Sequence, residues 1–399
     1  MEKGQIDDLF LLEREIICHR RELHQIPEIG LELPKTIAYV KNHLRTLGLS
    51  VEEYINGNGL SVVIEGEKGG KENDKVIGLR ADMDGLPIVE KTGLAFASHN
   101  DNMHACGHDG HTAVLLGVAS FLNQHRELFK GKIKLIFQPG EEYPGGALPM
   151  IQEGVLEQPK VTRMLGFHIG HLDTSIPPGK ISYKEGPMMA SMDRFAIKVC
   201  GKGYHGAYPE NADDPIIVAN QIVGAIQTIK SRNIKASEPV VISVTHVSGG
   251  FNQNVIPDDV FIEGTVRAIS ETTRQFIEKR LQEICRGMSI AFGVECCLTY
   301  DYKYPALVND SSVTFETVQS LTQFWGESKI EQTKECMMGG EDFAFFSQNI
   351  PSCFLFMANP RSIKGQFNGH HHAMFDFDED ELINVAASFV VAAFDYLNA

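Results

Sequence analysis

Short, wholly apolar runs alternate along the first half of the chain with stretches whose apolar residues return every three or four positions. The runs at residues 61–64, 76–79, 133–137 and 164–167 predict strands, and residues 36–47 and 112–123 carry the helical period. This alternation predicts an α/β sheet covered by helices. In such sheets functional groups collect in the loops beyond the carboxyl ends of the strands. The polar clusters follow that rule: Asp82 and Asp84 come after one strand, Glu141 and Glu142 after another, and His168 after a third.

The texture changes near Gly186–Pro187. A strand (195–199), a helix (215–229) and two strands (240–247, 260–268) follow, then a helix (271–292) and a strand (294–300). The order βαββαβ is the ferredoxin-like pattern, a unit able to fold as an inserted domain. Beyond residue 305 come a helix, a strand at 353–357 and a closing amphipathic helix at 379–397. The expected organisation is a catalytic α/β domain of residues 1–187 and 306–399, interrupted by an α+β domain of residues 188–305. The polar, Gly- and Lys-rich segment 67–74 reads as a surface loop.

Composition narrows the classes. A length of 399 residues suggests more than one domain, and a hydrophobic fraction of 43% supports a real core. The net charge of −16, with no basic run, argues against a nucleic-acid partner. No apolar stretch reaches the roughly 18 residues of a membrane span. The N-terminal segment is charged and amphipathic, without the apolar run of a secretory signal, so a cytoplasmic location is expected. The eight cysteines are scattered, mostly within apolar runs, as in a reducing compartment. Cys106 alone stands among polar residues and histidines.

That exception leads to the chemistry. In His104-Ala-Cys-Gly-His-Asp-Gly-His111, one glycine separates Cys106 from His108 and lets a tight loop aim both into one cavity. Thiolate and imidazole suit zinc, manganese, cobalt or nickel. Adjacent Glu141 and Glu142 repel unless a cation offsets their charge. With metal present, one carboxylate coordinates and its neighbour acts as general base toward the attacking water. His168 ends a strand at the same sheet edge, and His370-His-His372 offers a further ligand. Asp82 and Asp84 either orient a ligand histidine or cap the following segment, Asp84 being counted with the catalytic group. The surplus of ligands favours two divalent ions over one.

These residues lie in ordered motifs: RADMDGLP, MHACGHDGHTA, QPGEE, GFHIG, GKGYHGAYP, NVIPD, GTVRA, MGGEDFAFF and HHHAMFDFDED. Together they resemble the aminoacylase and hippurate hydrolase branch of the dinuclear metal-dependent peptidase and amidohydrolase family, along essentially the whole chain. The branch includes N-acyl-amino-acid amidohydrolases, auxin-conjugate hydrolases and N-acetyldiaminopimelate deacetylases. The resemblance implies a zinc-peptidase-like domain with an inserted lid and dimerisation domain, hence a homodimer. It implies that Cys106, His108, Glu142, His168 and His371 hold two divalent ions, and that Glu141 is the base. His371 is selected because it stands four residues before the aromatic of the Phe-Asp-Phe motif; His372 is its competitor. His205 would reach into the neighbouring subunit's site and stabilise the oxyanion there, and Asn254 and Arg267 would meet the substrate carboxylate. The sequence departs from the family pattern at Tyr204, Ala373 and Met374. Asp82 stands where peptidase branches place a metal-binding histidine.

The activity implied is hydrolysis of the amide of N-acyl amino acids, releasing a carboxylate and a free amino acid. A dipeptidase or carboxypeptidase could use the same site. From a different class, a non-catalytic or redox-sensing homologue centred on Cys106 is the alternative.

Overall fold

The protein is represented by a computed structural model that describes residues 3–69 and 74–399, so residues 70–73 of the polar loop lie outside the described residues. The chain divides into two compact units. The first comprises Met1–Gly186, Val308–Glu335 and Asp342–Ala399; the second comprises Pro187–Leu307 and Cys336–Glu341. The short return of Cys336–Glu341 to the second unit differs from the expected organisation, which kept everything after residue 305 with the catalytic domain.

Along the first unit, helices α1 (Glu13–His24) and α2 (Pro34–Thr46) precede strands β1 (Val51–Tyr54), β2 (Gly59–Glu65) and β3 (Val76–Asp82). Helix α3 (His108–Gln124) leads to β4 (Lys132–Gln138), β5 (Arg163–Gly170) and β6 (Ile181–Tyr183). The second unit holds β7 (Met192–Cys200), α4 (Pro215–Thr228), β8 (Val240–Gly249), β9 (Asp259–Ala268), α5 (Glu271–Phe292) and β10 (Glu295–Tyr304). The chain then supplies α6 (Ser311–Trp325), β11 (Ile330–Gln332), β12 (Ser352–Ala358) and α7 (Leu382–Asn398) to the first unit.

The first unit is built on an eight-stranded sheet in the order β1-β2-β4-β3-β5-β12-β6-β11. Its centre, β4-β3-β5-β12, is parallel, while β1, β2 and β6 join antiparallel. Parallel strands covered on both faces carry continuous apolar runs, and every residue of β3 and β12 is buried. Helix α3 is buried from His108 to Leu122, and apolar residues of α7 close over it. Phe121 and Phe129 meet Phe394 with ring centroids 6.4 and 5.0 Å apart. Each such ring stabilises the fold by about 2–3 kcal/mol through area removed from water. Because β4 and β5 flank β3 on opposite sides, the carboxyl ends of three neighbouring strands open onto one place.

In the second unit a four-stranded antiparallel sheet runs β8-β9-β7-β10. With α4 and α5 this is the ferredoxin-like βαββαβ arrangement expected from the sequence. Its core joins Phe195, Ile197 and Val199 to Val218, Ile222 and Ile226 of α4 and to Ile277 and Leu281 of α5. Asp214 and Ser270 cap α4 and α5 by accepting backbone N–H groups. Among the described residues of the whole chain, no helix is long and apolar enough to cross a membrane.

Candidate metal centre

The carboxyl ends of β3, β4 and β5 and the loop entering α3 gather the first unit's candidate residues. Gly107 makes the entry to α3 possible. Its φ of +95° is a left-handed conformation that L side chains rarely adopt, and it sets Cys106 and His108 on either side of a sharp turn. Cys106 Sγ lies 3.5 Å from His168 Nε2 and 3.6 Å from His370 Nδ1. His168 Nδ1 donates to Ile169 O at 2.8 Å, which leaves the Nε2 lone pair facing the thiol. One donor atom from each of Cys106, His168 and His370 falls within 4.8 Å of the others, and the same holds for Cys106, Glu142 and His371.

The two glutamates are held from behind. Asp84 accepts the backbone N–H of Glu141 at 2.9 Å through Oδ1 and that of Glu142 at 3.0 Å through Oδ2. This clamp fixes the turn after β4, so that Glu141, Glu142 and His108 converge. Glu141 Oε1 accepts the backbone N–H of Asp342 at 3.3 Å. The Asp342 carboxylate itself takes Arg80, Gln138 and the N–H groups of Gly146 and Ala147 at 2.8 to 3.0 Å. Asp82 has a different task. It accepts Arg80 at 2.8 Å and His111 Nδ1 at 2.5 Å, while His111 Nε2 accepts the Ile169 N–H at 2.9 Å. Both ring nitrogens of His111 are therefore satisfied, and the ring serves to orient.

Other buried polar atoms lack a hydrogen bond among the described residues. His108 Nδ1 and Nε2 and Glu142 Oε1 make no hydrogen bond. Glu142 Oε1 nevertheless lies 2.8 Å from His371 Nε2, and His108 lies 3.4 Å from Asp84 and 3.6 Å from Asp82. Close approach without hydrogen-bond geometry is the relation expected of ligands aimed at a common cation. The electrostatics agree. Burial, and then Glu142, Glu141 and Asp82, push the Cys106 thiol well above its ordinary value. Burial opposes a charge on His108, yet Asp82, Asp84 and Glu142 outweigh it and raise the imidazole to about 10. Burial, then His111 and His370, hold His168 neutral. Excess negative charge, a neutral imidazole with a free lone pair and orphaned donor atoms fit a divalent ion.

Of the His370–His372 run, His371 has a φ of +63° and faces Glu142 with its side chain half exposed. His372 turns back onto its own loop, its Nδ1 accepting the Met374 N–H at 3.1 Å. His370, which the sequence reading did not single out, lies beside Cys106 because Gly170 leaves space; a Cβ there would sit 2.3 Å from His370 Nε2. Burial first, and then its histidine neighbours, lower His370 to about 3. Asp342 and Arg80 were also missed as members of the site. The available signal was Arg80 itself, a charge inside the fully buried strand β3, which demands a buried anion.

The remaining candidates lie in the second unit. His205 pairs with Val255 across a two-residue bridge, and Gly206 N–H donates to Asn254 O at 2.8 Å, so His205 and Asn254 are neighbours. His205 is exposed, its Nδ1 accepting the Ala207 N–H at 3.1 Å. Arg267 stands apart on β9, half-buried, and donates to Val266 O at 3.0 Å and to Thr265 Oγ1.

Residues 78–394 match the model of peptidase family M20/M25/M40. The chain belongs to this family. It is 38% identical over 381 residues to the N-acetyl-L-cysteine deacetylase of Bacillus subtilis, a match covering 95% of this chain and 87% of that one. It is 37% identical over 396 residues to thermostable carboxypeptidase 1 of Saccharolobus solfataricus, covering 98% of both. A crystal structure of a dinuclear metal-binding peptidase from the M20 family of Bacillus subtilis superposes with a TM-score of 0.82 at 33% identity, covering 98% of this chain and 99% of that one.

Proposed function

We infer that this M20-family protein is a metal-dependent amidohydrolase that cleaves the amide bond of N-acyl amino acids, releasing a carboxylate and a free amino acid. The observation that carries the reading is the carboxylate pair Glu141–Glu142, fixed by Asp84 beside the Cys106–His168–His370 cluster and the His108 nitrogens, which make no hydrogen bond among the described residues. Cys106, His108, Glu142, His168 and His371 would hold two divalent ions of the zinc, manganese, cobalt or nickel class. When bound, such ions supply Lewis acidity toward the amide carbonyl and make water acidic enough to attack at neutral pH. The protein groups do the rest. Glu141, its carboxylate steadied by the Asp342 N–H, accepts the proton of the attacking water and returns it to the leaving amine. His205 is assigned to the developing oxyanion, and Asn254 and Arg267 to the substrate's carboxylate end, where a guanidinium gives a two-point contact. The second unit is the proposed dimer contact, and the cytoplasm the proposed location.

The similarity to a carboxypeptidase favours a second reading, cleavage of a peptide at its C-terminal residue. The metal chemistry is the same. A redox-sensing role has less support: Cys106 is 8% exposed, unlike an accessible thiolate of lowered pKa.

The deciding experiment is a panel of N-acetyl and N-benzoyl amino acids beside dipeptides, with protein reconstituted separately with zinc, manganese, cobalt and nickel. The leading reading expects N-acyl amino acids to give the highest kcat/KM. Preference for dipeptides would replace it with the second, and no turnover on either class would end both. Glu141→Gln is expected to lower kcat by about 10³-fold or more while metal content stays at the wild-type level.

A further inference from the structure

Away from the sheet edge, Glu15, His19 and His43 meet on α1 and α2, and the proposed hydrolysis uses none of them. Glu15 and His19 are one helical turn apart on the same face of α1. Glu15 Oε1 and His19 Nε2 are 3.6 Å apart. The His43 ring sits edge-on to His19 with centroids 4.5 Å apart. One donor atom from each residue lies within 4.8 Å of the other two. Ligands around a tetrahedral zinc, with bonds of roughly 2.0–2.2 Å, are about 3.3–3.6 Å apart. The Glu15–His19 pair already has that spacing, and the His43 donor atom lies within 4.8 Å of both.

The hydrogen bonds around His19 decide which of its nitrogens is free. The Tyr39 hydroxyl donates to Glu22 Oε2 at 2.5 Å, so its oxygen receives the His19 Nδ1 proton at 2.7 Å. With the proton on Nδ1, Nε2 keeps its lone pair. That atom is buried without a hydrogen-bond partner among the described residues, in a residue 9% exposed. Burial also lowers the pKa of this imidazole, which disfavours a proton on Nε2. A lone pair thus faces a carboxylate oxygen with no hydrogen between them, a contact that a cation turns from repulsive to attractive. The chain Glu22–Tyr39–His19 is the outer support that fixes the tautomer of metal-ligating histidines. Ser120 on α3 steadies the other side, its hydroxyl donating to Glu15 Oε1 at 3.0 Å and accepting the His43 Nε2 proton at 3.1 Å, which leaves the lone pair of that ring on Nδ1.

We propose that Glu15, His19 and His43 bind a divalent ion of the zinc class at a site of its own, distinct from the sheet-edge cluster. Two imidazoles and a carboxylate suit zinc, and the partly exposed Glu15 side chain leaves a fourth position to water. An ion there ties α1 to α2. Its expected effect falls on thermal stability rather than turnover, because a ligand bound by the folded chain alone stabilises it.

The test is to titrate metal-stripped protein with zinc alone and count tightly bound ions by mass spectrometry. Wild type is compared with His19→Ala and with the milder Glu15→Gln and His43→Gln, and each substitution is repeated in a Cys106→Ser background. Each variant is expected to hold one zinc fewer than its parent in both backgrounds. Turnover should match the parent's in the wild-type background, and the zinc-dependent rise in Tm should shrink. If His19→Ala does not fold, the two glutamine variants carry the same count. Equal zinc content in parents and folded variants overturns the proposal, as does a loss seen only when Cys106 is intact.

Discussion

Both units bury ionised side chains, and the sheet edge of the first treats its ligand-type residues in the opposite way to the second unit's Asp193. In the second unit, Asp193 is wholly buried and its oxygens are saturated. Arg274 donates to Oδ1 at 2.5 Å and to Oδ2 at 2.7 Å, the Tyr300 hydroxyl donates at 2.9 Å, and the Lys303 N–H at 3.1 Å. At the sheet edge of the first unit, His108 is also buried and Glu142 largely so, but among the described residues His108 Nδ1 and Nε2 and Glu142 Oε1 make no hydrogen bond, only ionic approaches of 2.8 to 3.6 Å. Folding that leaves such atoms unsatisfied costs about 1–3 kcal/mol for each group. The expense is tolerable only where something absent from the polypeptide completes the set. A closed network reads as architecture and an open one as a place for chemistry, even when the residue types are the same.

The contrast is open to attack from both sides. Asp84 belongs to the open side, because it aligns the Glu141–Glu142 turn. Asp84→Ala is expected to lower kcat by about 10²–10³-fold, a barrier increase of about 3–4 kcal/mol, with a moderate fall in Tm as the Glu141 and Glu142 N–H groups lose their buried acceptor. Steady-state kinetics beside thermal melts check this. A large fall in Tm with unchanged kcat would move Asp84 to the architectural class. Arg274→Leu attacks the closed side, leaving the Asp193 charge buried without its cation. It is expected to destabilise the second unit by about 3–5 kcal/mol in urea unfolding. Asp193→Asn in the same chain should recover part of that loss. Neither change should move KM or kcat by more than about twofold at temperatures where the variant stays folded.

Much of the sheet edge was legible because its signals are local. Cys106-Gly-His108, Glu141-Glu142 and His168 each follow an apolar strand or enter a helix, and the strand ends carry them to one place. The ferredoxin-like order of the second unit was equally plain, since period-two and helical patterns alternate cleanly there. What the sequence hid is set by distant contacts. Asp342 stands 262 residues from Arg80, and no periodicity links them. The inward turn of His370 depends on the missing side chain of Gly170. Glu15 and His19 have the spacing of helix-borne ligands, but only the packing of α2 brings His43 to them.

The smallest effect probes how tightly the second unit's network is closed. Burial, and then the Asp193 carboxylate that accepts its proton, push the Tyr300 phenol far above its ordinary value. In the unfolded chain this phenol ionises near pH 10, about the value for free tyrosine, whereas in the folded chain it keeps its proton. The unfolded state therefore holds fewer protons above that pH, and stability falls as pH rises. Tyr300→Phe removes the ionisation together with one hydrogen bond, a loss of about 1 kcal/mol at neutral pH. All other titrating groups are common to the two proteins. The stability gap between wild type and Tyr300→Phe should accordingly be widest below pH 10 and narrow above it, as read from urea unfolding at a series of alkaline pH values. A gap that stays constant through that range would mean that the folded phenol ionises as freely as the unfolded one, and that the network around Asp193 is open to solvent after all.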